Sequence, residues 1–379
     1  MNTTEEKQMK NPLDYKSEKR LLFQFAVPSI IAMLVGSLYN IVDQFFIGHS
    51  VGELGNAATN ISFPLSISCV AIALLFGIGG ASAFNISMGA GEKKKAVYYL
   101  GNSAIMLFSC GVVLCVITLM FLEPLLRFFG SPNNVLDYAK TYTGIIAFGF
   151  PFLILTTGGG HLIRADGRPN VSMVCNLTGA ILNTFLDALF VFGLNMGMRG
   201  AALATIIGQV LSAIMVIWCL SHCKTVSVGK EHLRVRKKII SRIISLGTAP
   251  FSNQLAMMVV QIVMNKSLKY YGSISVYGEA VPIACAGIIT KVNQVFMSFV
   301  IGISQGLQPI TSFNYGAKKY KRVKTAYTFA IKCGFALAVV AFLLFQLAPR
   351  QIISIFGNGS EEYYTFCLLY TSDAADDLT

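Results

Sequence analysis

Of the 18 Asp and Glu residues in the chain, only Asp43 and Asp187 fall inside long apolar runs. A charged side chain at mid-bilayer costs at least ~2.5 kcal/mol, so a carboxylate in such a run must face other helices or a wet cavity. Asn183 lies four residues before Asp187 and shares its helical face. Counting helical rise from the ends of the runs places Asp43 roughly 6 Å, Asp187 roughly 8 Å, Asn183 roughly 14 Å and Thr205 roughly 6 Å below one membrane surface. Two carboxylates, an amide oxygen and a hydroxyl thus occupy one layer. These are hard oxygen ligands suited to Na⁺, and two neighbouring aspartates can equally share and pass a proton. The residue types leave the choice between Na⁺ and H⁺ open. A purely structural role, binding helices together, is the competing reading and is strongest for Thr205 taken alone. Asn40, Gln44, Asn176, Gln254, Asn265, Lys291 and Gln305 are further polar residues in or beside apolar runs and are candidates to line a substrate cavity.

Other chemistry is thinly represented. No HExxH, GxSxG or phosphate-loop pattern occurs, which disfavours a membrane-embedded enzyme. The nine cysteines form no C-x-x-C pair and read as small hydrophobes. His222 beside Cys219 and Cys223 sits at a basic helix end and reads as a helix terminus, not a metal site. No cofactor is implied beyond a coupling cation.

The elements that must position these residues are long apolar helices. Charged residues make up 13% of the chain and hydrophobic residues 54%, a balance that cannot cover a soluble surface of this size. Nine stretches are long enough to cross a bilayer: Leu21 to Ile47, Ile61 to Ala83, Ala96 to Phe121, Tyr142 to Leu162, Val171 to Phe192, Ala201 to Leu220, Ile240 to Met264, Val281 to Leu307 and Tyr327 to Leu347. The expected class is an all-α, multi-pass membrane bundle with short loops. With the N-terminus inside, 22 of the 30 Lys and Arg residues fall on the cytoplasmic side. That distribution accounts for the net charge of +12 without nucleic acid as a partner. The expected surroundings are the lipid of a plasma membrane, of a bacterium, and the expected partner is a small molecule bound by a monomer.

An internal repeat organises the chain. Val27-Pro28 matches Ala249-Pro250, the segment from Gly77 (GIGGASAFNISMGAGEKKKAV) resembles that from Gly302 (GISQGLQPITSFNYGAKKYKRV), and Pro124 matches Pro349. An even number of spans separates the copies, so both insert the same way up. The expected division is a cytoplasmic segment 1–20, a six-helix lobe 21–222, a linker 223–239, a partial second lobe 240–366 with three helices, and a tail 367–379. The tail reads CLLYTSDAADDLT and resembles a translated sequencing adapter, excluded from fold reasoning.

YNIVDQFFIG (39–48), AILNTFLDALFVFG (180–193), GAALATIIGQ (200–209), IRADGRPN (163–170) and QPITSFNYGAKKYKRV (308–323) together resemble the multidrug and toxic compound extrusion (MATE) family. The resemblance implies two lobes, alternating access, and export of amphipathic, often cationic organic compounds driven by Na⁺ or H⁺ entry. It also implies a coupling site at Asp43, Asn183, Asp187 and Thr205. A second site used in one subgroup needs an acid in the seventh span. Here that span has Gln254 and Asn265, the latter at the repeat position of Asp43. A lipid-saccharide flippase of a related superfamily is the alternative, with Lys291 the only cation available for a phosphate.

Overall fold

The computed structural model describes residues 12–51, 53–131, 133–274 and 280–347. The chain is a polytopic helical bundle, with no strand among the described residues. A short helix α1 (Pro12–Tyr15) leads into α2 (Glu18–Val51), α3 (Glu53–Gly89) and α4 (Lys93–Met120). A surface helix α5 (Leu122–Phe128) precedes α6 (Asn133–Ile146), α7 (Phe150–Ala165), α8 (Pro169–Asp187) and α9 (Gly197–Ser221). Three long helices follow: α10 (Lys237–Ser273), α11 (Ala280–Gly316) and α12 (Tyr320–Leu347). Among the described residues, eight helical segments are long and apolar enough to cross a membrane. The remaining expected span, 281–307, lies within α11. The tail 367–379 lies outside the described residues.

The fourth span is not one continuous helix. A 3₁₀ turn (Ala147–Gly149) joins α6 to α7, with Pro151 in the first turn of α7. Proline is tolerated there because the first N–H groups of a helix have no internal partner. Pro28, Pro64, Pro250 and Pro309, by contrast, sit inside continuous helices.

Helices in lipid associate by close packing, so small residues mark their crossings. A Cβ on Gly247 of α10 would stand 1.9 Å from the Leu75 carbonyl of α3, and one on Gly79 would stand 2.2 Å from that of Ile243. Gly306 and Gly302 of α11 lie in the same way against Ala26 and Ile30 of α2. Gly89 and Gly316 meet where α3 crosses α11, each facing a carbonyl of the other helix at 2.0 Å from its Cβ position. Gly77 packs on Gly158, so the Gly158–Gly160 run serves close helix contact.

The segment from α9 to α10 is strapped to the bundle at both ends. Asp166, fully buried, accepts hydrogen bonds from the backbone N–H groups of Lys224 (2.8 Å) and Thr225 (3.0 Å) and pairs with Arg168 at 2.7 Å. Asn102 of α4 donates to the carbonyls of His232 and Arg234, both at 3.1 Å, and accepts from the Arg236 N–H at 2.9 Å. The Arg236 guanidinium lies 3.8 Å over the Tyr98 ring. Burial, then the charge of Asp166, pushes the Cys223 thiol up to about 12.

Candidate functional site

The site is built where α8 and α9 approach most closely. Gly179 of α8 faces Gly208 of α9; a Cβ on Gly179 would fall 2.0 Å from the Ser212 hydroxyl and 2.8 Å from the Gly208 carbonyl. Ser212 seals the same contact by donating to the Cys175 carbonyl at 2.9 Å. One turn further along, this proximity brings Asn183 to Thr205. The chain can reverse so tightly because Asn195 (φ 52°) and Gly197 (φ 54°) adopt left-handed backbone angles ahead of α9.

Asn183 Nδ2 donates to Thr205 Oγ1 at 3.3 Å, and Thr205 Oγ1 donates to the Ala201 carbonyl at 3.0 Å. Asp187 lies two turns beyond Gly179 on the same face, 0% exposed; Asp43, from α2, is 8% exposed. The carboxyl groups of Asp43 and Asp187 are direct neighbours, within hydrogen-bonding reach once one of them holds a proton. No protein donor reaches Asp43 Oδ1, Asn183 Oδ1 or either oxygen of Asp187. Buried carboxylate oxygens without donors are costly. They are satisfied by a proton shared between the two acids or by a hard cation held by both acids and the amide oxygen. The residues present therefore fit a bound Na⁺ or H⁺. Among the described residues, no three His, Cys, Asp or Glu side chains cluster as a transition-metal site would.

Immediately after Asp187 the helix widens into a π-helical turn, Ala188–Gly193. Such turns are rare and are frequently found at functional sites. Here it ends the regular α8 ladder at the carboxylate itself.

The structure adds two residues that the sequence reading missed. Tyr39 places its hydroxyl beside Thr205 and near both carboxylates, and Tyr142 of α6 sits close to Asp43, Asp187 and Tyr39. Tyr39 was findable, since it lies four residues before Asp43 on one helical face. Tyr142 comes from a distant helix and carries no such spacing signal.

The expected cavity residues scatter. Asn40 is exposed and donates to its own helix at Gly36. Asn176 donates to the Ser172 carbonyl and lies near Gly160, about two turns away from Asn183. Gln305 reaches Met33 Sδ at 3.6 Å across the α2–α11 seam. Gln254 is half-buried on α10. The side chains of Gln44, Asn265 and Lys291 lie outside the described residues.

Comparison with known proteins places the fold and the family. The MatE family model matches residues 28–189 and 251–370. Multidrug export protein MepA of Staphylococcus saprophyticus is 26% identical over 355 residues, covering 92% of this chain and 77% of MepA. MepA of Staphylococcus aureus strain MSSA476 is 25% identical over 370 residues, covering 96% and 80%. An outward-facing multidrug-resistance MATE transporter of the MOP superfamily shares the fold, with a TM-score of 0.86 at 24% identity over 95% of this chain and 79% of that one. A MATE structure in a straight conformation superposes with a TM-score of 0.80 at 25% identity, covering 88% and 74%. With the family model covering most of its length in two blocks, the chain belongs to the MATE family of membrane efflux transporters.

Proposed function

We propose that this protein is a Na⁺- or H⁺-coupled antiporter that exports amphipathic, often cationic organic compounds, and that Asp43, Asn183, Asp187 and Thr205 hold the coupling ion. The observation that carries the reading is the buried pair of neighbouring carboxylates from α2 and α8 with no protein donor on Asp43 Oδ1 or on either Asp187 oxygen. Tyr39 and Tyr142 lie near the pair. The relatives named as multidrug export proteins support the cargo class.

In this reading the cation enters between α2 and α8 and neutralises the pair. Neutralisation changes how α2 packs on α8 and α9, and that change lowers the affinity for substrate. Coupling requires the ion to bind the two states of the transporter with different affinity. The two blocks matched by the family model support two lobes, 21–222 and 240–366, that rock about a central cavity. The chain would lie in a bacterial plasma membrane with its N-terminus cytoplasmic, as its Lys and Arg distribution favours.

The test is isosteric neutralisation. Asp43→Asn or Asp187→Asn should abolish cation-dependent efflux of ethidium from cells while the protein still reaches the membrane in normal amount. Unchanged efflux in either variant would remove the site. Proteoliposomes given a Na⁺ gradient or an H⁺ gradient separately would identify the ion.

A further inference from the structure

We infer that the segment before the first long helix and the turn between α11 and α12 form an ionic latch, which holds α2 and α11 together at one end and must release when that end opens. The inference rests on the alternating-access reading above. Asp14 pairs with Lys319. Arg322 Nε stands 3.1 Å from Glu18 Oε1, a charge contact without hydrogen-bond alignment. The same guanidinium donates to the Lys16 carbonyl at 2.5 Å and to the Leu13 carbonyl at 3.4 Å. Asn314 Nδ2 also donates to the Leu13 carbonyl, at 3.3 Å. Beneath these contacts, buried Leu13, Leu21 and Phe25 pack on Ile310, Phe313 and Ala326.

The two copies of the internal repeat show that the second turn is specialised. The α3–α4 turn and the α11–α12 turn close alike, with Glu92 N–H on the Ser87 carbonyl at 2.8 Å and Lys319 N–H on the Asn314 carbonyl at 2.9 Å. The left-handed position before each is Gly91 (φ 81°) in the first copy but Lys318 (φ 58°) in the second. A lysine is strained where glycine is free. In the first copy Lys95 pairs with Glu92 of its own turn, its one ion pair among the described residues. In the second copy the cations at 319 and 322 reach across to the N-terminal segment.

The latch contacts are partly exposed and individually weak, the kind that breaks and re-forms without unfolding its surroundings. The α2–α11 seam above them is held by close glycine packing and by the Ser37–Ser298 hydroxyl pair at 3.1 Å. Releasing four charges therefore frees one end of a long seam.

Hydrogen–deuterium exchange in lipid nanodiscs tests this on wild type, on Asp14→Asn/Glu18→Gln, and on the charge-keeping control Asp14→Glu/Glu18→Asp. The neutral variant should exchange roughly three- to tenfold faster in peptides spanning 21–33 and 302–316. Peptides covering 175–187 should be unchanged, and the charge-keeping control should hold the seam near wild-type rates. A neutral variant that exchanges like wild type overturns the latch. The underlying reading has its own outcome: if wild-type exchange at the seam is indifferent to Na⁺ and to pH, ion-driven alternation fails. Ion-sensitive exchange with no effect of the latch variants sinks the latch alone.

Discussion

Thr205 illustrates how a single hydroxyl is committed. It accepts from Asn183 and donates to Ala201, so its orientation fixes where the Asn183 amide oxygen points. Thr205→Ser keeps both bonds and should leave cation dependence near wild type. Thr205→Ala removes an acceptor worth ~0.5–1.5 kcal/mol and should raise the half-saturating cation concentration about three- to tenfold. Efflux measured against a cation titration reads that shift. The sequence already puts Thr205 in the layer of oxygen ligands, although taken alone it reads most readily as helix glue; what the structure adds is the Asn183 amide bonded to it and Tyr39 beside it. Asp43 and Asp187 were legible from the start, because a carboxylate in an apolar run is anomalous wherever it later points.

The α8–α9 pair sets the geometry of the site through two glycines. Adding a methyl at Gly179 drives it into the Ser212 hydroxyl and the Gly208 carbonyl, and backbone cannot rotate away as a flexible side chain can. Gly179→Ala should cost about 1–3 kcal/mol by overpacking and lower the thermal midpoint in detergent. It should weaken cation dependence as well, since Asn183 and Thr205 are moved apart. Gly36→Ala is the contrasting case: nothing lies within 4 Å of its Cβ position. That substitution should be neutral or stabilising by up to ~1 kcal/mol, as expected for glycine in a helix. Sequence reading finds both glycines and cannot tell them apart. Whether a helical glycine is a contact or merely a small residue depends on the neighbour it meets.

At the scale of the molecule, the strapped segment ties the connection between α9 and α10 to the first six spans. Asn102 makes three hydrogen bonds to the backbone of residues 232–236, all from one fully buried side chain. The segment from α9 to α10 is therefore held to the first six spans as far as Arg236, just before α10 begins. Asn102→Ala should cost about 2–4 kcal/mol, summing three bonds of ordinary strength. Deuterium uptake in peptides covering 229–238 should rise while the α8–α9 site keeps its protection. An equal rise in both regions would show that the strap supports the whole bundle and not the linker alone. The sequence reads residues 223–239 as a linker between lobes, and its composition gives no sign of the hydrogen bonds that hold it. Asn102 lies inside an apolar run far upstream and gave no sign of binding it.

What this sequence determines alone is its solvent and its anomalies. Hydropathy is a local sum, so the spans follow from composition within a window, and the two carboxylates stand out within them. The repeat is likewise a property of the string. What only the tertiary structure decides is juxtaposition: Asp43 near Asp187, Asn102 on the linker backbone, and Arg322 on the N-terminal segment. Those contacts join residues many helices apart, and helix periodicity fixes which face a residue occupies but not which other helix that face will meet.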